Sequence, residues 1–137
     1  MARFVYDVHM RWSDMDAYRH VNNVAYLRYL EMARIAMFFL KAAHSGRSFE
    51  DGVLIGKQSI EYLAPVVYDP QPLRIELWID DVSGASFDVK YEVYDHDKLV
   101  ARAVTTQVRY NFVTARPQRL DHDELAFLAL FADEKLG

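Results

Sequence analysis

The chain has 137 residues and no cysteine, so we expect one domain without disulfide bonds, thiolate metal sites or a cysteine nucleophile. Its hydrophobic content of 52% is typical of a globular protein and argues against disorder. The net charge of -4 gives no general attraction to nucleic acid or to an anionic membrane, so we expect neither as a partner.

The first predicted elements are a strand and a long helix, separated by a polar segment. Phe4 to Met10 mixes apolar and polar residues in the manner of a strand. Asn23 to Ala43 repeats apolar residues every three or four positions and predicts the helix, with Asn22 or Asn23 as its N-cap. The residues that recur at this spacing form the expected apolar stripe of the helix: Leu27, Leu30, Arg34, Ile35, Phe38, Phe39 and Ala42.

Four strands and a short helix are predicted in the rest of the chain. The strands cover residues 53–62, 73–80, 87–94 and 100–110. In the last strand, the apolar residues share one face: Val100, Val104, Val108 and Tyr110. Asp121 to Glu134 predicts the short helix, with Asp121 as its cap. An antiparallel sheet wrapped along one face of the long helix would bury its stripe, so the predicted class is α+β, with a single domain over residues 1–137.

The polar segment before the long helix concentrates the groups that carry chemistry. Asp14, Asp16, His20, Asn22 and Asn23 lie close together in the sequence. A loop that leads into a helix start brings side chains near unsatisfied backbone N–H groups. This arrangement suits a reaction at a carbonyl group, where negative charge develops on oxygen.

Asp16 and the segment His20-Val21-Asn22-Asn23, with the helix that follows, resemble the hotdog-fold thioesterases. The similarity is to the branch that contains 4-hydroxybenzoyl-CoA thioesterase and related acyl-CoA thioesterases. It implies a hotdog fold, with an antiparallel sheet around one long central helix. It also implies sheets paired edge to edge in a homodimer or a dimer-of-dimers tetramer, with the active site at the interface. The implied reaction hydrolyses an acyl-CoA thioester to the free acid and coenzyme A.

The resemblance also assigns catalytic roles. Asp16 takes the place of the catalytic carboxylate, and the Asn23 N–H takes the place of the donor that polarises the thioester carbonyl. Asp16 can attack the carbonyl directly or activate a water, and the sequence leaves both routes open. Asp14 is expected to hold the loop through hydrogen bonds. His20 is expected to position groups at the site or to hydrogen-bond near it.

Four further residues are candidates for substrate binding: Asn22, Tyr18, Tyr26 and Glu31. Asn22 is also a candidate cap. Glu31 falls on the apolar stripe, where a carboxylate is costly unless paired. It either pairs with Arg28 or Arg34, or faces the site as an alternative catalytic carboxylate. The basic residues considered for the coenzyme A phosphates are Lys57, Arg109, Arg116 and Arg119.

The sequence offers no grouping of histidines typical of a metal site and no glycine-rich phosphate loop, so neither a metal nor a cofactor is expected. No apolar run approaches the roughly 20 residues of a membrane helix, and no signal peptide is recognisable, so we expect a cytoplasmic protein. Two alternatives stay open at this point. One is a non-catalytic acyl-CoA-binding hotdog protein. The other is an acyl-ACP thioesterase, because acyl-ACP thioesterases of this fold share a similar His-Val-Asn-Asn segment.

Overall fold

The computed structural model of the chain describes residues 3–45 and 52–132. The elements are β1 (Phe4–Val8), α1 (Asn23–Ser45), β2 (Val53–Tyr62), β3 (Leu73–Ser83), β4 (Ser86–Asp95), β5 (Lys98–Asn111), β6 (Arg116–Pro117) and α2 (His122–Ala129). This order confirms the predicted succession of strand, long helix, four strands and short helix. It adds β6 and a single 3-10 turn over Trp12–Asp14, which the sequence patterns did not predict.

The strands form one antiparallel sheet in the order β1-β3-β4-β5-β2, with β6 paired to the end of β5. Within the described ranges, β2 pairs only with β5, so its other edge is open. Its pairing shifts register between Ile55 and Lys57, where Gly56 forms the irregularity. The sheet therefore ends in a ten-residue edge strand.

Helix α1 packs across one face of this sheet and supplies part of its core. The core joins the helix to inward residues of the strands, among them Leu30, Met37, Leu73, Ile75, Leu77, Phe87, Val89 and Val93. The predicted α+β class, with one long helix against an antiparallel sheet, is confirmed. Neither helix of the described ranges combines the length and apolar character needed to cross a membrane.

The buried stripe of α1 is rotated from the predicted one. Its buried residues are Ala25, Tyr26, Tyr29, Leu30, Ala33 and Met37. The prediction was right for Leu30 and wrong for Leu27, Ile35 and Phe39, which are exposed, while the side chain of Ala42 lies outside the described part. The helix has two apolar stripes. Tyrosines and alanines are prominent in the one that faces the sheet of this chain, and larger aliphatic residues are prominent in the one that faces outward. A spacing rule alone cannot say which stripe is buried in a single chain.

From residue 101 onward, the inner face of β5 is the reverse of the predicted one. Val100 is buried, as predicted, but the other buried residues are Ala101, Ala103, Thr105, Gln107 and Arg109, whereas Val104 and Val108 are only partly buried. These polar side chains are tolerated because each finds a partner, as Arg109 does in Glu124 at 2.6 Å. Thr105 and Arg109 find partners in β4 and α2, and Gln107 bonds to Thr105. The alternation in the sequence therefore predicted the strand and misplaced most of its inner face.

Helix α2 ends earlier than predicted. Asp121 is its cap, as expected, since its side chain accepts a hydrogen bond from the Glu124 N–H at 2.8 Å. The helix ends at Ala129, because the Phe131 carbonyl accepts a hydrogen bond from the Ile79 N–H (2.9 Å) and draws the chain along the sheet. The predicted end at Glu134 lies outside the described residues.

Candidate active site

The polar loop between β1 and α1 folds into a tight hairpin that presents Asp16. The Asp16 N–H donates to the His20 carbonyl (2.9 Å), and the Arg19 N–H donates to the Asp16 carbonyl (3.0 Å). Arg19 closes the turn at φ 64°, a left-handed conformation that non-glycine residues seldom adopt. The backbone of the loop thereby fixes the position of the Asp16 side chain.

The Asp16 carboxylate is held through one of its two oxygens. Its Oδ1 accepts hydrogen bonds from the N–H groups of Tyr18 (2.9 Å) and His20 (3.3 Å). In the part of the chain that the structure describes, none of the hydrogen bonds reaches Oδ2. One oxygen therefore orients the carboxylate, as in an ordinary Asx turn, and the other is available for chemistry.

Asp14 is buried and braces the loop against the helix, as its predicted structural role requires. Its Oδ2 accepts hydrogen bonds from the Tyr29 hydroxyl (2.6 Å) and the Arg11 N–H (2.9 Å), and its Oδ1 contacts the Arg28 guanidinium. Burial by itself raises the pKa of Asp14, but the hydrogen bonds from Tyr29, Arg11 and Arg28 outweigh it and hold the pKa below its usual value. The Asp14 carbonyl also accepts the Asn22 N–H (2.9 Å), which ties the loop to the helix start.

The first turn of α1 is capped by Asn22. Its Oδ1 accepts a hydrogen bond from the Val24 N–H (2.8 Å), which confirms the capping role considered for this residue. Its carbonyl accepts the Tyr26 N–H (3.3 Å). The Asn23 N–H takes part in none of the hydrogen bonds found among the described residues. The positive end of the helix dipole therefore offers an N–H at the position where the resemblance expects a donor.

A cavity of about 300 Å³ opens beside this loop, and we call it the loop cavity. Its lining comes from the loop, the first turn of α1 and the end of β2: Asp16, His20, Val21, Asn23, Tyr26, Tyr62, Leu63, Ala64, Pro65 and Val66. The structure thus brings the predicted catalytic residues Asp16, His20 and Asn23 into one cavity, together with the predicted substrate-binding residue Tyr26.

The far wall of the loop cavity is fixed by backbone hydrogen bonds on both sides. The Val21 N–H donates to the Val66 carbonyl (2.9 Å), which joins this wall to the loop. The N–H groups of Leu63 and Ala64 both donate to the Val100 carbonyl, at 2.8 and 3.2 Å. An apolar wall therefore stands opposite the polar groups, as a site for an acyl group requires.

Two tyrosines lie together at the helix start. The rings of Tyr26 and Tyr62 meet edge to face at 5.2 Å, and the Tyr62 hydroxyl donates to the Asn23 carbonyl at 3.5 Å. Burial, with the nearby charges of Tyr62 and Asp95, raises the pKa of Tyr26 to about 12, so its hydroxyl stays protonated. Among the described residues none hydrogen-bonds that hydroxyl. Sequence reasoning missed Tyr62, because only the tertiary fold brings the end of β2 to the helix start.

Three predicted substrate-binding residues, Asn22, Tyr18 and Glu31, do not line the loop cavity. The Tyr18 side chain is 80% exposed, and its contribution is the backbone hydrogen bond to Asp16. Glu31 is exposed rather than buried on the stripe, which corrects the predicted placement. Its carboxylate lies 3.9 Å from the Arg34 guanidinium, one of the two partners considered, while Arg28 turns to the loop.

Glu31 lines a second cavity, of about 380 Å³, which lies between α1 and the strands β2 and β5. We call it the helix cavity. Its lining is Glu31, Arg34, Ile35, Phe38, Phe39, Val53, Ile55 and Gln107. It faces the opposite end of β2 from the loop cavity, because one contains Val53 and the other contains Tyr62.

The basic residues considered for the coenzyme A phosphates are separated by the structure. Arg109 is 1% exposed and donates to the Glu124 carboxylate (2.6 Å) and the Gly52 carbonyl (3.2 Å). The expectation that it could bind a coenzyme A phosphate was therefore wrong. Lys57, Arg116 and Arg119 are exposed. In the described ranges, no three carboxylate or histidine side chains gather closely enough to hold a metal ion.

Comparison with known proteins identifies the family of this architecture. The sequence model of the thioesterase-like superfamily matches residues 10–128, which include the loop, α1 and the sheet. The chain belongs to the thioesterase-like superfamily. It is accordingly a thioester hydrolase, and the resemblance found in the sequence is confirmed.

Solved structures agree on the hotdog fold. A predicted thioesterase from Bacillus stearothermophilus is similar with a TM-score of 0.86 at 23% identity, over 96% of this chain and 97% of that one. A thioesterase from Thermus thermophilus, complexed with coenzyme A and zinc, gives 0.78 at 20%, over 93% and 92%. A 1,4-dihydroxy-2-naphthoyl-CoA thioesterase from Synechocystis gives 0.80 at 19%, over 93% and 96%. No curated protein sequence matches this chain significantly.

Proposed function

We propose that this thioester hydrolase acts on acyl-CoA and releases the free acid and coenzyme A. The observation that carries the proposal is the loop cavity, in which the Asp16 carboxylate and the Asn23 helix start share one space. Hydrolysis of a thioester needs a base or nucleophile beside the carbonyl carbon and a donor directed at the carbonyl oxygen. The complex of the Thermus thermophilus relative with coenzyme A supports this choice of carrier.

Asp16 acts on the thioester through Oδ2. As a base, it takes a proton from a water whose oxygen bonds to the carbonyl carbon, and the carbon–sulfur bond then breaks to release coenzyme A thiolate. As a nucleophile, Oδ2 itself bonds to that carbon and expels the thiolate, and water then splits the resulting anhydride. In both routes the thiolate takes up the proton and the products are the same.

The Asn23 N–H stabilises the oxygen on which negative charge develops. It stands at the helix start, where the dipole favours an anion, and Asn22 caps the neighbouring Val24 N–H rather than this one. We assign His20 to positioning, because its backbone holds Oδ1 of Asp16 and its side chain lines the cavity.

The substrate contacts follow from the same geometry. Tyr26 lines the loop cavity and is assigned to the acyl thioester. Tyr18 and Asn22 are exposed neighbours of the catalytic groups in the loop, so we assign them to the coenzyme A side of the substrate. Glu31 faces the helix cavity and is assigned to the acyl end, in a site that a second copy of the chain completes.

We propose that two copies of the chain pair through the open edge of β2. An uncovered edge strand of this length invites further pairing unless something covers it. Apolar side chains of α1 and of β2 itself are exposed in the single chain: Val24, Leu27, Ile35, Phe39, Leu54 and Ile55. A symmetric partner would pair the strand and bury these side chains together, which is the usual form of a homodimer.

The test measures free thiol released from a panel of aliphatic and aromatic acyl-CoAs by the unmodified chain and by Asp16→Asn. Because the amide can neither accept a proton nor attack, we expect Asp16→Asn to lose at least about a hundredfold in kcat/KM. Asp7→Asn, at an exposed position on β1, is the matched control and should keep full activity. Undiminished hydrolysis by Asp16→Asn of every substrate that the unmodified chain accepts would contradict the proposal.

The same panel separates the alternatives. Acyl-CoA that binds tightly without thiol release would indicate a non-catalytic binding protein. Faster hydrolysis of the matched acyl-ACP would indicate an acyl-ACP thioesterase. A single turnover in water enriched with oxygen-18 tests the nucleophilic route, since label in the Asp16 carboxylate requires that water has attacked the Asp16 carbon of the anhydride.

A further inference from the structure

The helix cavity has an unusual composition for a space between a helix and a sheet. Most of its wall is apolar, and Ile35, Phe38 and Val53 are typical of it. Three polar side chains nevertheless line it: Glu31 and Arg34 from the helix, and Gln107 from β5. A purely apolar acyl chain would need none of them.

Gln107 belongs to a buried chain of hydrogen bonds beneath the cavity. Its Nε2 donates to the Thr105 Oγ1 at 2.7 Å, and that oxygen is 2.7 Å from the Tyr91 hydroxyl. Thr105, Gln107 and Tyr91 are each 1% exposed. Burial raises the pKa of Tyr91, while the charge of Arg34 and the hydrogen bonds of the Tyr91 hydroxyl with Thr105 and Arg34 oppose that rise. The Arg34 guanidinium therefore reaches this hydrogen-bonded group. The polar floor of the cavity is therefore fixed in position before any ligand arrives.

The charge of Arg34 is weakly compensated. Its side chain is 12% exposed, and its ion pair among the described residues is with Glu31 at 3.9 Å, the outer limit of such a contact. The Glu31 side chain is 57% exposed and free to turn toward solvent. A guanidinium has five N–H donors, and those that Tyr91 and Glu31 do not engage need further acceptors, which a ligand oxygen would supply.

The proposed pairing of two chains brings this cavity to the reacting groups. In an antiparallel pair of β2 strands, Val53 of one copy lies near Tyr62 of the second copy, because a two-fold axis crosses the middle of the strand. Val53 lines the helix cavity and Tyr62 lines the loop cavity. The helix cavity of one copy thus adjoins the Asp16 site of the other.

We infer that the helix cavity receives the far end of the acyl group whose thioester lies at Asp16 of the paired copy, and that this end carries an oxygen held by Arg34 and Gln107. The inference rests on the proposed thioesterase activity and pairing, and it adds the substrate class. A hydroxyl can accept from Arg34 and donate to Glu31, whereas a carboxylate can only accept, from Arg34 and from the Gln107 amide.

The first test compares acyl-CoAs of equal chain length that end in a methyl, a hydroxyl or a carboxylate group. We expect kcat/KM of an oxygen-ended substrate to exceed that of its methyl-ended match by at least about tenfold. The rates of the hydroxyl-ended and carboxylate-ended substrates, compared with each other, show which of these two groups the cavity binds. Equal rates for all three ends would overturn the inference while leaving the thioesterase in place. If none is hydrolysed, equilibrium binding of the same three compounds is measured, and binding without preference overturns it as well.

The second test removes the guanidinium. Arg34→Met should bring the oxygen-ended and methyl-ended substrates to similar kcat/KM, with the methyl-ended rate retained or increased. Arg102→Met is the matched control, because Arg102 pairs with Glu61 on the exposed side of the sheet, and it should keep the preference. A folded Arg34→Met variant that keeps the preference would overturn the assignment, and the comparison in the unmodified chain decides if this variant does not fold.

A third test asks which copy supplies the cavity. Asp16→Asn and Arg34→Met chains carrying different tags are co-expressed, and the mixed dimers are isolated. If the cavity serves the paired copy, one site of each mixed dimer keeps both groups, and hydrolysis of the oxygen-ended substrate recovers. If each chain used its own cavity, no site would keep both groups, and the absence of recovery would overturn the shared site.

Discussion

Tyr26 and Tyr29 lie one helical turn apart and are both buried, yet their hydroxyl groups have opposite surroundings. The Tyr29 hydroxyl donates to Asp14 at 2.6 Å, whereas no described residue hydrogen-bonds the Tyr26 hydroxyl. A hydrogen bond to a charged group contributes about 1.5–3 kcal/mol, and a buried hydroxyl without a partner is costly. The Tyr29 hydroxyl therefore stabilises the folded state, whereas the Tyr26 hydroxyl destabilises it.

We expect Tyr29→Phe to lower the free energy of unfolding by about 1.5–3 kcal/mol, because Asp14 loses a donor. Tyr26→Phe should leave that free energy unchanged or raise it by about 1 kcal/mol, because it removes an unsatisfied group. Urea unfolding followed by circular dichroism measures both, and each variant serves as the control of the other. Equal losses in the two variants would show that the Tyr26 hydroxyl has a partner in the folded protein.

Asp14 makes the fold sensitive to acid. Its pKa in the folded chain lies below the usual value of 3.8, so the carboxylate stabilises the fold above that pH. The contribution is lost as the pH falls through the lowered folded pKa. We therefore expect the difference in melting temperature between the unmodified chain and Asp14→Asn to be constant near neutrality and to shrink below about pH 4. Thermal unfolding across a pH series measures it, and a difference that widens in acid would be contrary to this account.

Among the elements, α2 is joined to the sheet by a buried ion pair as well as by its apolar side chains. The Glu124 Oε2 accepts from the Arg109 Nε of β5 at 2.6 Å, and both side chains are 1% exposed. The second oxygen of Glu124 accepts the Asp121 N–H (2.9 Å) as part of the capping box. One carboxylate therefore closes the helix start and attaches the helix to the sheet.

Removal of one member of this pair should be much more damaging than replacement of both. Glu124→Ala leaves the Arg109 charge buried without its partner, and we expect a loss of about 3–5 kcal/mol in the free energy of unfolding. The double variant Arg109→Met, Glu124→Met should recover a large part of that loss, because two apolar side chains of similar length fill the space. Chemical unfolding of the single and double variants measures the difference, and a double variant no more stable than Glu124→Ala would refute the explanation.

The same pair explains what the sequence could and could not predict about the elements. The alternation of β5 and the spacing of α1 are local patterns, and both elements form where these patterns predicted them. The inner face of β5 carries Thr105 and Arg109, whose partners lie in β4 and α2, and Gln107, which bonds to Thr105. Local hydrophobicity carries no information about such distant partners, so the predicted face was the wrong one.

The residues of the candidate site likewise fall into those that the sequence could place and those that it could not. Asp16, His20 and Asn23 lie in one loop and one helix start, so the sequence could place them together, and the loop cavity contains all of them. Tyr62 enters the cavity from the end of β2, and Glu31 faces a different cavity. Both outcomes depend on how the helix rotates against the sheet, which the two apolar stripes of α1 leave undetermined.

For the whole molecule, the proposed second copy of the chain would account for both the outward apolar stripe of α1 and the open edge of β2. Leu27 is 37% exposed in the single chain, next to the first turn that carries Asn23. We expect Leu27→Asp to leave the circular dichroism spectrum unchanged and to convert a dimer to a monomer, because it places a charge in the proposed interface. Thioester hydrolysis should fall with dissociation, since each site then lacks the cavity of its partner.

Sedimentation equilibrium of Leu27→Asp, at a series of protein concentrations, measures this shift directly. Val5→Asp is the matched control, because Val5 is 52% exposed on β1, at the opposite edge of the sheet, and it should remain dimeric and active. An unmodified chain that is monomeric and fully active at every concentration would remove the basis for the proposed pairing. The hydrolytic role of Asp16 would survive that result, because the loop cavity is formed within one chain.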